Sequence, residues 1–190
     1  MIDGEYSSSL FFPPLSSQRY IFARNCIDRL ASSASTTNTA SIRSVLDLGA
    51  NHCSIVPILK QLPFLHEIHC VDIDVRPFRT KYSLKNVQPF VMDYFIEREN
   101  ELTVSVYQGS ALELDARFAS PNVDVVTAIE LIEHMQLDML PPFVANVFGH
   151  IRPKMAIIST PNYEYNYLIR RVTMNEDFDE HVPPPFRDDD

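Results

Sequence analysis

Five short segments rich in apolar residues recur along this chain, and helical or turn-forming stretches separate them. Each is long enough for a β-strand, and a glycine or polar residue stands at or just after its carboxyl end. The segments are residues 44–49, 67–74, 102–107, 123–129 and 155–159. Strands that alternate with helices predict an α/β fold with a doubly wound, mainly parallel sheet. Ligands of such a fold bind beyond the carboxyl ends of the strands.

Helical spacing of apolar residues predicts helices over 17–30, 54–62 and 140–151, with Pro57 restricted to the first turn of the second. The Ser/Thr/Ala/Asn tract from 31 to 41 is typical of a flexible loop. We expect residues 1–16 to be a loosely ordered lead-in. The length of 190 residues suits one domain with one core, which we predict over 17–190.

The charge balance narrows the possible partners. With 16 basic and 25 acidic residues, the net charge of −9 argues against charge-driven binding to any nucleic-acid backbone. It leaves room for local recognition of a chain end. No apolar run reaches the roughly 18 residues of a membrane span. We therefore expect no membrane partner. The three cysteines have no C-x-x-C spacing, so we expect buried free thiols and a cytoplasmic location.

Polar residues at the first three predicted strand ends suggest a cofactor site. Asp47 and Gly49 close the first strand, where a glycine lets the backbone turn tightly near a ligand. Asp72 ends the second, a position suited to a ribose diol, and Ser110 follows the third, near where an adenine ring would lie. Strand-end capping by Asp47 and Asp72 is the alternative reading.

These strand ends resemble those of the S-adenosylmethionine-dependent methyltransferase fold, although Asn51 stands where a second glycine is usual. Asn tolerates left-handed backbone conformations, so the turn remains feasible. The G-x-G-x-x-G pattern of dinucleotide enzymes and the G-K-[ST] of phosphate loops are both missing from the sequence.

The motif Glu130-Leu-Ile-Glu133-His134 follows the fourth predicted strand. On a helical turn its two carboxylates and imidazole share one face, as a mixed oxygen and nitrogen ligand set suited to Mg²⁺ or Mn²⁺. A solvated helix start, with acidic residues favoured by the helix dipole, is the alternative.

The chain closely resembles the small-RNA 3′-terminal 2′-O-methyltransferases of RNA silencing. The resemblance is strongest in E-L-I-E-H followed by S-T-P-N. The matching segments are residues 12–15, 18–20, 45–49, 71–73, 109–110, 129–134, 147–149 and 158–162.

The resemblance implies a specific chemistry. Glu130, Glu133 and His134 would bind Mg²⁺ or Mn²⁺, which would hold both hydroxyls of the terminal ribose and lower the pKa of the 2′-hydroxyl. No separate catalytic residue is implied. The cofactor would be S-adenosylmethionine, and the substrate would be the 3′ end of a small RNA, in animals chiefly the Piwi-bound class, presented by a Piwi or Argonaute protein.

The resemblance also suggests further contacts to the RNA. The segment 160–162 would form a loop beside the site, or else an ordinary turn. Some of the arginines would contact phosphates, although a solvated face accounts for most of them. These arginines are Arg19, Arg152, Arg170 and Arg171.

The sequence departs from the family pattern near its end. The family supplies a fourth metal ligand, a histidine, that is missing here after residues 186–190, and His181 is a weak substitute. A complete sheet of this fold has two more strands than the five counted, so we expect the sheet to be truncated before them. Two alternatives stay open: a metal-dependent small-molecule O-methyltransferase, and a non-catalytic binding module.

Overall fold

The computed structural model describes residues 12–37, 41–98 and 100–162, with only the backbone given for 34–37. Its sheet has five parallel strands: β1 (Ser44–Leu48), β2 (Glu67–Asp72), β3 (Thr103–Gln108), β4 (Val125–Ile129) and β5 (Met155–Ser159). Their order across the sheet is β3-β2-β1-β4-β5. The order reverses between β1 and β4, which confirms the doubly wound parallel sheet and places its switch point there.

The helices are more irregular than the strands. The α-helices are α1 (Leu15–Thr37), α2 (Val56–Leu59), α3 (Lys81–Val87) and α4 (Leu140–Val144), and α4 continues as a π-helical segment over Ala145–Ile151. Short 3₁₀ turns occupy Pro77–Arg79, Val91–Phe95, Ile132–His134 and Leu137–Met139. The predicted helix over 140–151 is therefore helical throughout but changes its hydrogen-bond pattern midway.

The prediction of a flexible loop from residue 31 was wrong as far as Thr37, because α1 continues to that residue. The Ser33 hydroxyl donates to the Arg29 carbonyl at 2.9 Å, so this side chain is satisfied inside the helix rather than competing with it. The helix also starts two residues earlier than the predicted start at 17. The predicted helix over 54–62 shortens to α2, and Pro57 does lie in its first turn.

Both faces of the sheet are covered, and alternate residues of the strands point to opposite sides. Val45 and Val125 pack with Ala23 and Ile27 of α1 on one face. On the other face, Leu46, Leu48 and Val126 pack with side chains of the helix after β4. Those side chains follow each other at helical spacing and are Phe143, Val147 and Ile151. All five residues of β1 are buried, so its carboxyl end is rigidly held.

The chain divides into two units, Met1–Ser159 and Thr160–Asp190, and only residues 160–162 of the second are described. β5 is an edge strand of the described sheet. The prediction of one domain over 17–190 stays a prediction. The lead-in up to residue 11, Arg170, Arg171, His181 and 186–190 lie outside the described residues. Among the described helices, none has both the length and the apolar character needed to cross a membrane.

The three cysteines are free thiols, as predicted. Cys53 and Cys70 are buried, whereas Cys26 is only partly so. They act as small apolar side chains of the core.

Candidate active site

The turn after β1 depends on left-handed backbone conformations. Gly49 has φ +74°, and Asn51 has φ +44°, so asparagine does adopt the conformation predicted for it. The amides of Gly49 and Ala50 both donate to the Val71 carbonyl, at 2.9 and 3.1 Å. A Cβ atom at position 49 would lie 2.7 Å from Cδ1 of Leu131. The close approach that requires glycine is therefore to a side chain of the protein, and it brings the E-L-I-E-H segment against this turn.

Asp72 joins the ends of β1 and β2. Its Oδ2 accepts from the Asn51 amide at 2.8 Å, and its Oδ1 accepts from the Asp74 amide at 2.9 Å. The carboxylate thereby holds the β1 turn in place. Each oxygen keeps a second lone pair, so these bonds are compatible with the predicted contact to a ribose.

Asp47 is a buried acid that faces a cavity. It is 5% exposed, and its Oδ1 accepts from the Thr127 hydroxyl on β4 at 2.6 Å. Burial raises the pKa of Asp47 to about 7; the Thr127 hydrogen bond opposes this shift and the nearby charge of Asp72 adds to it. The site thus contains a carboxyl group whose ionised form is less stable than it would be in water.

Two cavities open at the carboxyl end of β1. The first, of about 250 Å³, is lined by residues of α1, of the carboxyl end of β1 with the turn after it, and of the carboxyl end of β4 with the turn after it. These residues are Ser16, Arg19, Tyr20, Asp47, Gly49, Ala50, Asn51, Ser54, Ile55, Ile129, Glu130 and His134. The second, of about 260 Å³, is lined by Leu48, Val71, Gly109, Ser110 and Asn146 among others. The structure therefore joins Asp47 and Gly49 to Glu130 and His134, but places Ser110 in the neighbouring cavity.

Glu130 has two partners inside the protein. Its Oε2 lies 3.1 Å from Nη2 of Arg19 on α1, and its Oε1 accepts from the Ser159 hydroxyl at 3.2 Å. Burial raises the pKa of Glu130, which the Arg19 charge opposes and the Glu133 charge reinforces. Its backbone has φ +55°, and its amide donates to the Ser159 carbonyl at 3.1 Å. Glu130 is thus held at the junction of β4, β5 and α1.

The turn that carries Glu133 and His134 differs from the predicted helical turn. It is a 3₁₀ turn over Ile132–His134, and Glu130 lies before it in a left-handed conformation. In the part of the chain that the structure describes, no three His, Cys, Asp or Glu side chains are gathered so that they could hold a metal ion. The donor types suit Mg²⁺ or Mn²⁺. In this arrangement Glu130 is paired with Arg19, so the pair has to open before Glu130, Glu133 and His134 can bind one ion together.

Sequence reasoning missed three partners of the predicted residues. Arg19 was interpreted only as a possible phosphate contact, and neither Thr127 nor Ser159 was recognised as a partner of a site carboxyl group. A signal existed for α1: Ser16, Arg19 and Tyr20 have the spacing that places side chains on one helix face. Burial raises the pKa of Tyr20, and the Asp47 charge adds to this shift.

Two further predictions concern Arg152 and the segment that follows β5. Arg152 ends the π-helical segment in a left-handed conformation with φ +52°. Residues 160–162 follow β5 without regular structure and belong to the second unit. Their predicted contacts with RNA stay predictions.

No family model matches the chain. Curated proteins do: the small RNA 2′-O-methyltransferase of Rattus norvegicus is 34% identical over 166 residues, which cover 87% of this chain and 39% of that protein. The Xenopus tropicalis protein of the same name is 35% identical over 164 residues, covering 86% of this chain and 40% of its own length. The chain is therefore similar to small RNA 2′-O-methyltransferases over most of its own length. It spans about two fifths of the length of these relatives.

Solved structures agree with this similarity. The crystal structure of the small RNA methyltransferase HEN1 superposes with a TM-score of 0.68 and 29% identity, covering all of this chain and 21% of that one. The methyltransferase domain of bacterial CtHen1 gives a TM-score of 0.56 at 27% identity, covering 77% of this chain and 69% of that one. The predicted S-adenosylmethionine-dependent methyltransferase fold is confirmed.

Proposed function

We propose that this chain transfers a methyl group from S-adenosylmethionine to the 2′-hydroxyl of the 3′-terminal nucleotide of a small RNA. The observation that carries the proposal is the similarity to small RNA 2′-O-methyltransferases over 87% of the chain. The cavity supports it, because the matched segments around Asp47, Gly49 and Glu130 meet there. The similarity to these relatives indicates that the substrate is a small RNA. The resemblance in the E-L-I-E-H motif indicates that the methyl group goes to the ribose at its 3′ end.

The cavity lined by Asp47, of about 250 Å³, suits a cationic ligand. Asp47 is buried and has a raised pKa, so a positive group beside it would favour its ionised form. S-adenosylmethionine carries an ammonium group and a sulfonium, and when bound it supplies the electrophilic methyl group. Asp47 would hold a positive group of the cofactor, Asp72 the ribose and Ser110 the adenine side. Gly49 and Asn51 shape the turn around it.

Dependence on Mg²⁺ or Mn²⁺, with Glu130, Glu133 and His134 as ligands, belongs to the same proposal and rests on the motif alone. The ion pair between Glu130 and Arg19 has to open before Glu130 binds a metal. Titration of the protein with Mn²⁺ tests this directly by calorimetry, without any need for activity. We expect binding that Glu133→Gln weakens at least tenfold.

The test of the reaction is transfer of a labelled methyl group to synthetic small RNAs, with and without Mn²⁺. We expect RNA with a free terminal diol to be methylated, and RNA with a terminal 2′-deoxyribose not to be, because it lacks the accepting oxygen. Glu133→Gln should abolish most transfer. Its matched control is Glu67→Gln, since Glu67 begins β2 at the amino ends of the strands, whereas the cavity lies at their carboxyl ends.

Two results would contradict the proposal. The first is no transfer to free-ended RNA when cofactor binding is intact. The second is equal loss of transfer in Glu133→Gln and Glu67→Gln, which would mean that Glu133 has no special role. Undiminished transfer in the presence of EDTA would remove the metal from the proposal and leave the reaction.

A non-catalytic binding module is the second candidate, and the arrangement of Glu130 favours it. The Arg19 ion pair occupies a proposed metal ligand, and the described residues form no metal cluster. Calorimetry with S-adenosylhomocysteine and Mn²⁺ separates the two candidates. A module of this kind would bind neither, whereas the enzyme should bind both.

Turnover of a catechol-like diol, but not of RNA, would indicate a small-molecule enzyme instead.

We further propose that a Piwi or Argonaute protein presents the RNA to this chain, in the cytoplasm. The family resemblance supports the partner, and the free cysteines suit a reducing compartment such as the cytoplasm. Co-purification of the chain with an RNA-loaded Argonaute-type protein, compared with the empty protein, tests the partner. Fractionation of cells that express the tagged chain tests the location.

A further inference from the structure

One part of the segment between β2 and β3, residues 75–92, has a local charge opposite to that of the chain. Residues 75–92 contain no acidic residue and four basic ones: Arg76, Arg79, Lys81 and Lys85. The whole chain has 16 basic and 25 acidic residues. Arg76 Nη2 lies 2.6 Å from Asp74 Oδ2, so this charge is compensated. Arg79, Lys81 and Lys85 are exposed, and they form a positive surface on an acidic protein.

Helix α3 combines these cations with an exposed ring. Lys81 and Lys85 are four residues apart and share one helix face. Tyr82 is 62% exposed, and the Lys81 ammonium lies 5.4 Å from the centroid of its ring. Proteins that bind single-stranded nucleic acid combine such cations, which contact phosphates, with rings on which bases stack. We call Arg79, Lys81, Tyr82 and Lys85 together the α3 surface.

The α3 surface is attached to the rim of the cavity. Asn86 on α3 donates through Nδ2 to the His52 carbonyl at 2.8 Å. The His52 ring meets the Tyr82 ring edge-on at 6.4 Å between centroids, and its Nδ1 lies 3.2 Å from the Thr80 hydroxyl. Asn51, the residue before His52, lines the cavity. A chain that leaves the cavity past Asn51 therefore meets the α3 surface next.

We propose that the α3 surface binds the single-stranded body of the RNA whose 3′ end occupies the cavity. Lys81 and Lys85 contact phosphates, and the Tyr82 ring stacks on a base. This inference rests on the proposed function, which places an RNA end in the cavity. Charge complementarity and continuity with the cavity favour RNA as the occupant. An acidic protein surface would use the lysines but would have no need of an exposed ring for stacking.

Fluorescence anisotropy with a labelled single-stranded small RNA tests the surface without relying on catalysis. The double variant Lys81→Gln/Lys85→Gln should weaken binding about tenfold. The slope of log K against log salt concentration should also become shallower, by about 0.7 for each phosphate contact that is lost. Tyr82→Ala should also weaken binding about tenfold, whereas Tyr82→Phe keeps the ring and should bind like the unmodified chain. The matched control, Arg29→Gln/Arg43→Gln, removes two exposed charges away from the cavity and should bind normally.

The outcomes separate the two proposals. If the unmodified chain binds RNA but transfers no methyl group, the proposed function fails and the binding data still decide the surface. If it methylates RNA and the α3 variants bind like the control variant, the surface inference is overturned, and a protein partner becomes the better account of these residues. Equal weakening in the variants and in the control would also overturn it, because the effect would then be one of net charge alone.

Discussion

Gly49 shows how one residue sets the geometry of the cavity. Its φ of +74° costs an L-residue about 1–2 kcal/mol. An added Cβ would also lie 2.7 Å from Leu131 Cδ1. We therefore expect Gly49→Ala to lower the free energy of unfolding by about 1–3 kcal/mol and to weaken cofactor binding, because the turn has to move. Urea unfolding and calorimetry measure the two effects.

The control for Gly49→Ala is Gly149→Ala. Gly149 lies in the π-helical segment, and a Cβ there would meet nothing within 4 Å. In a helical segment alanine is preferred over glycine, so this change should leave stability unaltered or raise it by up to about 1 kcal/mol. Equal losses in the two variants would show that strain at position 49 is not the cause.

Residue chemistry was predictable at the cavity, but residue partners were not. Asp47, Gly49 and Asp72 were recognised because their types are distinctive at strand ends. The partners of the acids come from distant parts of the chain: Thr127 lies 80 residues after Asp47, and Ser159 lies 29 after Glu130. Local patterns carry no record of such contacts. The left-handed backbone of Glu130 was likewise missed, since glutamate seldom adopts it.

At the scale of elements, strands were predicted more closely than helices. The bounds of β5 were predicted correctly, and the other strands differ by one or two residues. Buried parallel strands form continuous apolar runs that are easily read. The region from 75 to 101, to which no bounded element was assigned, contains short 3₁₀ turns beside α3. Such turns are too short to establish a repeating apolar pattern.

Two cations hold this region to the end of α2. The buried Lys60 donates through Nζ to the Gln88 carbonyl at 2.6 Å and lies 3.3 Å from Asp93 Oδ2. Arg98 donates to the carbonyls of Lys60 and Leu62. The segment 88–98 is thus fastened by polar contacts while several of its large apolar side chains are exposed. Its order should depend on Lys60.

We expect Lys60→Met to loosen the segment 88–98. Methionine keeps the apolar stem but leaves the Gln88 carbonyl without this donor and the Asp93 carboxylate without the neighbouring ammonium, at a cost of about 1–3 kcal/mol. Hydrogen exchange followed by mass spectrometry should show faster exchange across 88–98. Lys85→Met, on the exposed side of α3, should leave that exchange unchanged. Similar exchange in the two variants would mean that Lys60 does not organise the segment.

At the scale of the molecule, the strand order explains why distant acids converge. β1 lies between β2 and β4, so the ends that carry Asp47, Asp72 and Glu130 are neighbours in the sheet. This convergence was predictable, because it follows from the parallel topology. The division of this space into two cavities was not predictable, since it depends on how side chains such as Leu131 pack at the carboxyl ends of the strands. The ion pair between Arg19 and Glu130 depends in the same way on where α1 docks.

The convergence of acids also sets how stability responds to pH. In the unfolded chain Asp47 ionises near its ordinary pKa of about 4. In the folded chain, burial keeps it protonated until about pH 7, its raised pKa. The folded state therefore binds more protons between these values, and the free energy of unfolding should fall as pH rises through this window. Asp124 acts in the opposite sense: its pKa is lowered by hydrogen bonds from Lys154, Arg43 and Ser44 in spite of burial, so its contribution is lost only in more acidic solution.

Asp47→Asn should remove most of the decline, because asparagine still accepts the Thr127 hydrogen bond but carries no charge. Relative to the unmodified chain, the variant should gain about 2–3 kcal/mol of unfolding free energy between about pH 5 and about pH 8. Urea unfolding at the two pH values measures the gain. Asp124→Asn should lose stability equally at both, since Asp124 is ionised throughout. If the difference between Asp47→Asn and the unmodified chain were the same at both pH values, Asp47 would have to be ionised in the folded protein, and a cation or water in the cavity would have to stabilise its charge.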